Sequence, residues 1–129
     1  AFADIPAITM NPLNPDGEAN NWLSCITIDP VCGVTPDRLM DVLADENIES
    51  RPIWKPMHMQ PIFAEADFFT KEGCAKGADS GSAHALDLTA KAESAGAEIF
   101  YRGVCLPSDI KNTAEDMERI IGLVRGLFV

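Results

Sequence analysis

Ser50-Arg51-Pro52-Ile53-Trp54-Lys55-Pro56-Met57-His58-Met59-Gln60-Pro61 is where the chain stops reading as ordinary core and turn. Its three prolines, set among apolar residues, exclude both a helix and a regular central strand. Each removes an N–H donor and holds the residue ahead of it in extended geometry. The backbone here is expected to run extended and kinked, supported from outside. Arg51, Lys55 and His58 are the only potentially cationic residues from Leu39 to Thr70, and no acid lies between Glu49 and Glu65. The stretch is therefore a local positive island. Guanidinium and ammonium groups bind phosphate while an indole stacks on a flat ring, so Arg51, Trp54 and Lys55 suit an anion with an aromatic or sugar part. A surface loop with a snorkelling Arg51 and a buried Trp54 is the plainer alternative.

Working back from the island, residues 48–53 read as a short strand leading into it. Ahead of that, Thr35-Pro36-Asp37 supplies an N-cap, a proline at the first helical position and an acid in the first turn. Leu39, Val42 and Leu43 then make one apolar stripe, and the helix is expected to end near Asn47. Trp22-Leu23-Ser24-Cys25-Ile26-Thr27-Ile28 is rich in aromatic and β-branched residues with both parities largely apolar, which predicts a central strand covered on both faces. Residues 2–10 form an apolar segment ended by the turn formers Asn11-Pro12-Leu13-Asn14-Pro15-Asp16-Gly17, giving a hairpin-like return.

Working forward, residues 69–95 are dominated by Lys, Gly, Ala, Ser and Asp with little periodicity, which predicts a long flexible loop insertion, partly helical near its end. Gly73, Gly77 and Gly81 lack the spacing of a phosphate loop, and His84 has no neighbouring metal ligand. Residues 95–102 are expected to form a short helix closed by Gly103. Val104-Cys105-Leu106 comes next as a short strand stopped by Pro107. Thr113-Ala114-Glu115-Asp116 resembles a capping box, and Met117, Ile120, Ile121, Val124 and Phe128 make a helical apolar stripe. The fold class is α+β: one domain over residues 1–129, built as a small mixed or antiparallel sheet with helices packed on it.

With 129 residues, 47% of them hydrophobic, the chain has material for one core and not for two ordinary domains. Its net charge of -10 argues against nucleic acid or an anionic membrane surface as partner. Residues 1–50 hold nine acids against Arg38 alone, a net of -8, which leaves -2 for the remainder. No apolar run approaches the ~20 residues that span a bilayer, and the N-terminus lacks a signal-peptide pattern, so a cytoplasmic location is expected. Cys25, Cys32, Cys74 and Cys105 show no C-x-x-C and no zinc-ligand spacing, and read as reduced thiols filling small spaces. No metal site is expected. Asp41, Asp45 and Glu49 read as a solvated acidic face, and no nucleophile–base pair or catalytic carboxylate pair stands out.

Residues 50–63, Ser50-Arg51-Pro52-Ile53-Trp54-Lys55-Pro56-Met57-His58-Met59-Gln60-Pro61-Ile62-Phe63, are followed downstream by Phe100-Tyr101-Arg102-Gly103-Val104-Cys105-Leu106-Pro107-Ser108 and the Thr113 helix start. Together these resemble the DegT/DnrJ/EryC1/StrS family of pyridoxal-phosphate-dependent sugar aminotransferases. The resemblance runs from about Asn20 to the C-terminus, residues 69–95 excepted, and corresponds only to the small C-terminal domain of these fold-type-I transferases. It implies a larger, dimeric enzyme that moves an amino group from an amino acid, typically glutamate, to a keto sugar carried on a nucleotide. The cofactor would be pyridoxal phosphate, held by a Schiff-base lysine in an N-terminal domain that has no counterpart here.

On that resemblance this chain carries no catalytic residue and is inactive alone, and Lys55 is not the cofactor lysine. A substrate-facing role passes to His58 and Trp54, with Arg51, Lys55 and Met57 beside them. Trp54, Met57, Met59, Ile62 and Phe63 are expected to expose apolar surface where the large domain packs. Another reading is a non-catalytic regulatory or small-molecule-binding domain in which Arg51, Lys55 and His58 hold a phosphate or carboxylate by themselves.

Overall fold

The computed structural model describes residues 1–12, 14–70, 73–76 and 94–128, with 70 and 73–76 described by backbone alone. Two compact units emerge, one formed by Ala1–Ile53 together with Arg102–Val129 and the other by Trp54–Tyr101.

The first unit is built on an antiparallel sheet. Strands β1 (Ile8–Met10), β2 (Ser24–Ile28), β3 (Arg51–Pro52) and β6 (Gly103–Leu106) lie in the order β1-β2-β6-β3. The hairpin-like return is β1 against β2, with Ile8 opposite Ile28 and Met10 opposite Ile26. Asn11 extends that ladder by one rung. Its N–H donates to the Cys25 carbonyl and its side-chain oxygen accepts from the Cys25 N–H. Ser108 does the same on the other edge of β2 at the same end, where its hydroxyl accepts from the Ser24 N–H.

One face of this sheet is covered. Ile26, Ile28, Val104 and Leu106 meet Leu39 and Leu43 of α1 (Pro36–Asp45) and Ile120 and Val124 of α3 (Ala114–Gly126), with Phe2 and Ile8 closing the cluster. Burial of such side chains stabilises by roughly 1.5–3 kcal/mol each, which is why the helix stripes face inward. The expectation that β2 is covered on both faces needs correction. Cys25 and Thr27 are only half-buried and Trp22 is exposed, because α1 and α3 both pack on the Ile26 face.

Both helices start as their sequences specify. The Thr35 hydroxyl accepts from the Arg38 N–H, and Thr113 and Asp116 form a reciprocal capping box. Helix α1 ends in a paired-bond cap. The Asn47 N–H donates to the Ala44 carbonyl and the Ile48 N–H to that of Leu43, with Asn47 left-handed at φ 56°. This cap shortens the expected 48–53 strand to Arg51–Pro52, since the Ile48 N–H is already used by the helix. Arg119 ties α3 to the end of α1 through the Glu46 carbonyl and carboxylate. Arg125 grips both carboxylate oxygens of Asp4 and the Ala1 carbonyl, fastening the chain start to α3.

The second unit contains the hairpin β4 (Asp67–Thr70) with β5 (Gly73–Lys76) and most of α2 (Ala95–Arg102). Residues 69–95, expected as one loop, thus open with paired strands where they are described, because Phe68-Phe69-Thr70 favours extended backbone. His84, Gly77 and Gly81 lie outside the described residues. Helix α2 ends at Arg102, directly before Gly103 as expected, and Gly103 also opens β6.

Candidate functional site

The prolines act as the sequence requires. Past Pro52 the chain leaves the sheet after one further bond, from the Ile53 N–H to the Gly103 carbonyl. Pro56 and Pro61 then begin two short 3-10 turns, Met57–Met59 and Pro61–Phe63, with the Met59 N–H bonded to the Pro56 carbonyl and the Gln60 N–H to that of Met57. A 3-10 turn rotates successive side chains by about 120°. Met57 therefore points outward at 61% exposure while Met59 is buried at 5%. Of the five apolar residues expected at the surface, Trp54, Met57 and Ile62 are exposed, Phe63 is half-buried and Met59 belongs to the interior.

His58 is the organised member of the group. Its ring stacks on Phe68 with centroids 3.8 Å apart and planes 14° from parallel. Its Nε2 lies 3.4 Å from the Ser94 hydroxyl. That hydroxyl accepts from the Ala97 N–H and so caps α2. The same hydroxyl thus faces both the first turn of α2 and the His58 ring. The start of α2 also lies close to the segment, since a Cβ on Gly96 would stand 3.4 Å from Pro56 Cγ. The Gln60 amide spans the turn, reaching the Lys55 carbonyl at 3.4 Å and the Met57 sulfur at 3.5 Å.

Trp54, Lys55, Met57 and His58 belong to the second unit and Arg51 to the first. Arg51 is exposed and its guanidinium pairs with the Glu49 carboxylate, so part of the island's charge is balanced from within the chain. Phe68, Ser94 and Gln60 were missed by sequence reasoning. Ser94 ahead of Ala95-Gly96-Ala97 carries an N-cap signal, but neither its approach to His58 nor the Phe68 stack leaves a local trace.

Helix N-termini are the usual seat of a phosphate. Those of α1 and α3 are capped by threonine and carry Asp37, and Glu115 with Asp116, in their first turns, while α2 is capped by Ser94. Among the described residues no three His, Cys, Asp or Glu side chains cluster as metal ligands, and no helix is long and apolar enough to cross a membrane.

An antiparallel sheet with helices packed on one face makes the first unit an α+β fold. The chain belongs to the DegT/DnrJ/EryC1/StrS aminotransferase family, whose model matches residues 1–125. It is 34% identical over 128 residues to EpsN of Bacillus subtilis (strain 168), described as a putative pyridoxal phosphate-dependent aminotransferase. That match takes in 99% of this chain and 28% of EpsN. In fold it is similar to the aminotransferase TlmJ from Streptoalloteichus hindustanus, with a TM-score of 0.64 at 18% identity over 98% of this chain and 27% of TlmJ. The chain thus spans less than a third of the length of either relative.

Proposed function

We propose that residues 1–129 are the small C-terminal domain of a pyridoxal-phosphate-dependent aminotransferase. In this reading the enzyme transfers an amino group from an amino acid, glutamate being the expected donor, to a nucleotide-linked keto sugar. Family membership and the likeness to EpsN support the reaction class. The observation that carries the substrate role is the placement of His58, fixed by Phe68 and Ser94 in a segment that also carries an exposed Trp54. Pyridoxal phosphate, bound by the rest of the full-length protein, supplies the electron sink for amino transfer. His58 binds and orients the nucleotide sugar, Trp54 offers an aromatic face to it, and Lys55 adds positive charge for its diphosphate. Met57 lines the same segment, while Arg51, already paired with Glu49, contributes less. The enzyme acts as a homodimer in the cytoplasm, with the missing N-terminal domain as this domain's partner.

A histidine bond to a charged phosphate contributes roughly 1.5–3 kcal/mol, so His58→Ala in the full-length enzyme weakens nucleotide-sugar binding by about tenfold to a hundredfold. The half-reaction with glutamate, which involves no nucleotide, stays near wild type. Stopped-flow absorbance of the two half-reactions separates these effects. Equal slowing of both would assign His58 to the fold or the cofactor, and no slowing of either would remove it from the site.

A further inference from the structure

Cys25 of β2 and Cys105 of β6 stand directly opposite each other in the antiparallel register, with their sulfurs 3.5 Å apart. Both backbone groups of Cys25 turn away from β6, its N–H and carbonyl being bonded to Asn11. The Gly103 carbonyl, on the same edge of β6 as the backbone groups of Cys105, turns toward Ile53. The two cysteines therefore form a non-hydrogen-bonded pair, the kind in which Cα atoms approach to about 4.5 Å and side chains come closest. That separation falls inside the range of about 4.4–6.8 Å that a disulfide spans.

We infer that Cys25 and Cys105 form a dithiol that small-molecule disulfides oxidise reversibly to a cross-strand disulfide, a modification site independent of the aminotransferase reading. Cys25 is half-buried and Cys105 only 8% exposed, so the reagent meets Cys25 first. The Cys25 thiolate attacks the reagent's S–S bond, giving a mixed disulfide and one molecule of free thiol. Cys105 then attacks the Cys25 sulfur and expels the second thiol. The two cysteines together lose two electrons and two protons, and the reagent disulfide gains both. Burial and the neighbouring Cys25 sulfhydryl push the Cys105 thiol up to about 11, which disfavours Cys105 as the first thiol to attack and leaves that step to Cys25.

Oxidised glutathione applied to the full-length protein tests this, with free thiols blocked afterwards and peptides mapped by mass spectrometry. Exposed Cys32 reports that the reagent has reacted. The expected result is a linked Cys25–Cys105 peptide, lighter by two hydrogens and released by dithiothreitol. In Cys105→Ser, Cys25 stops at the mixed disulfide. Full conversion of Cys32 with Cys25 and Cys105 both recovered as free thiols, or Cys25 recovered in wild type as an unresolved mixed disulfide, overturns the inference.

Discussion

Asp4 is an exposed carboxylate with a marked pH signature. The Arg125 guanidinium, helped by a backbone hydrogen bond, lowers it from 3.8 to about 2. A carboxyl lowered in the folded state contributes stability that is fully present above its unfolded value and fades as pH falls toward the folded one. The difference in denaturation midpoint between wild type and Asp4→Asn should therefore stay constant above about pH 5. It should narrow between 3.8 and about 2. A difference that persists unchanged at pH 2 would mean that it does not arise from the ionised Asp4 carboxylate. Asp116 is lowered in the same direction by the Thr113 hydroxyl and backbone N–H, so part of the acid sensitivity survives in Asp4→Asn. At this scale His58 was legible through the motif around it. Its holders Phe68 and Ser94 were not, since ring stacking and a hydroxyl 36 positions away depend on how the chain folds back.

Elements were most legible where the deciding chemistry is local. Thr35-Pro36-Asp37 and Thr113 with Asp116 mark the starts of α1 and α3 within four residues, and the structure uses both. The pairing of β2 with β6 joins residues 80 apart at Cys25 and Cys105, and no short window of sequence reports it. The left-handed Asn47 explains why the strand after α1 is short. Asn tolerates that backbone region better than residues without a short polar side chain, and glycine better still. Asn47→Ala should therefore lower stability by ~1 kcal/mol in urea denaturation, while Asn47→Gly should leave it unchanged or raise it slightly. Equal effects from both would point to the Asn47 side chain instead of its backbone.

At the scale of the whole chain, residues 54–101 lie in sequence between two strands, β3 and β6, that pair with each other. The first unit is discontinuous in sequence, yet Arg51 pairs with Cys105, Pro52 with Val104, and the Ile53 N–H with the Gly103 carbonyl. From the standpoint of the sheet, Trp54–Tyr101 connects two adjacent antiparallel strands. Replacing it by a short glycine-containing turn should leave the first unit folded, because each halving of a loop saves only about 0.6 kcal/mol of closure entropy and removes no core contact of that unit. Circular dichroism and a cooperative thermal transition would show this, and loss of both would mean that the sheet depends on the second unit.

Joining the two strands at that seam makes the connecting residues an exchangeable cassette. A relative's counterpart of 54–101 can be longer or shorter without shifting Arg51 from its place opposite Cys105, since the register is held by the bonds on either side of the junction. Chimaeras that trade this cassette between members of the family would keep the recipient's thermal stability, letting the connecting residues diversify while the supporting sheet stays fixed.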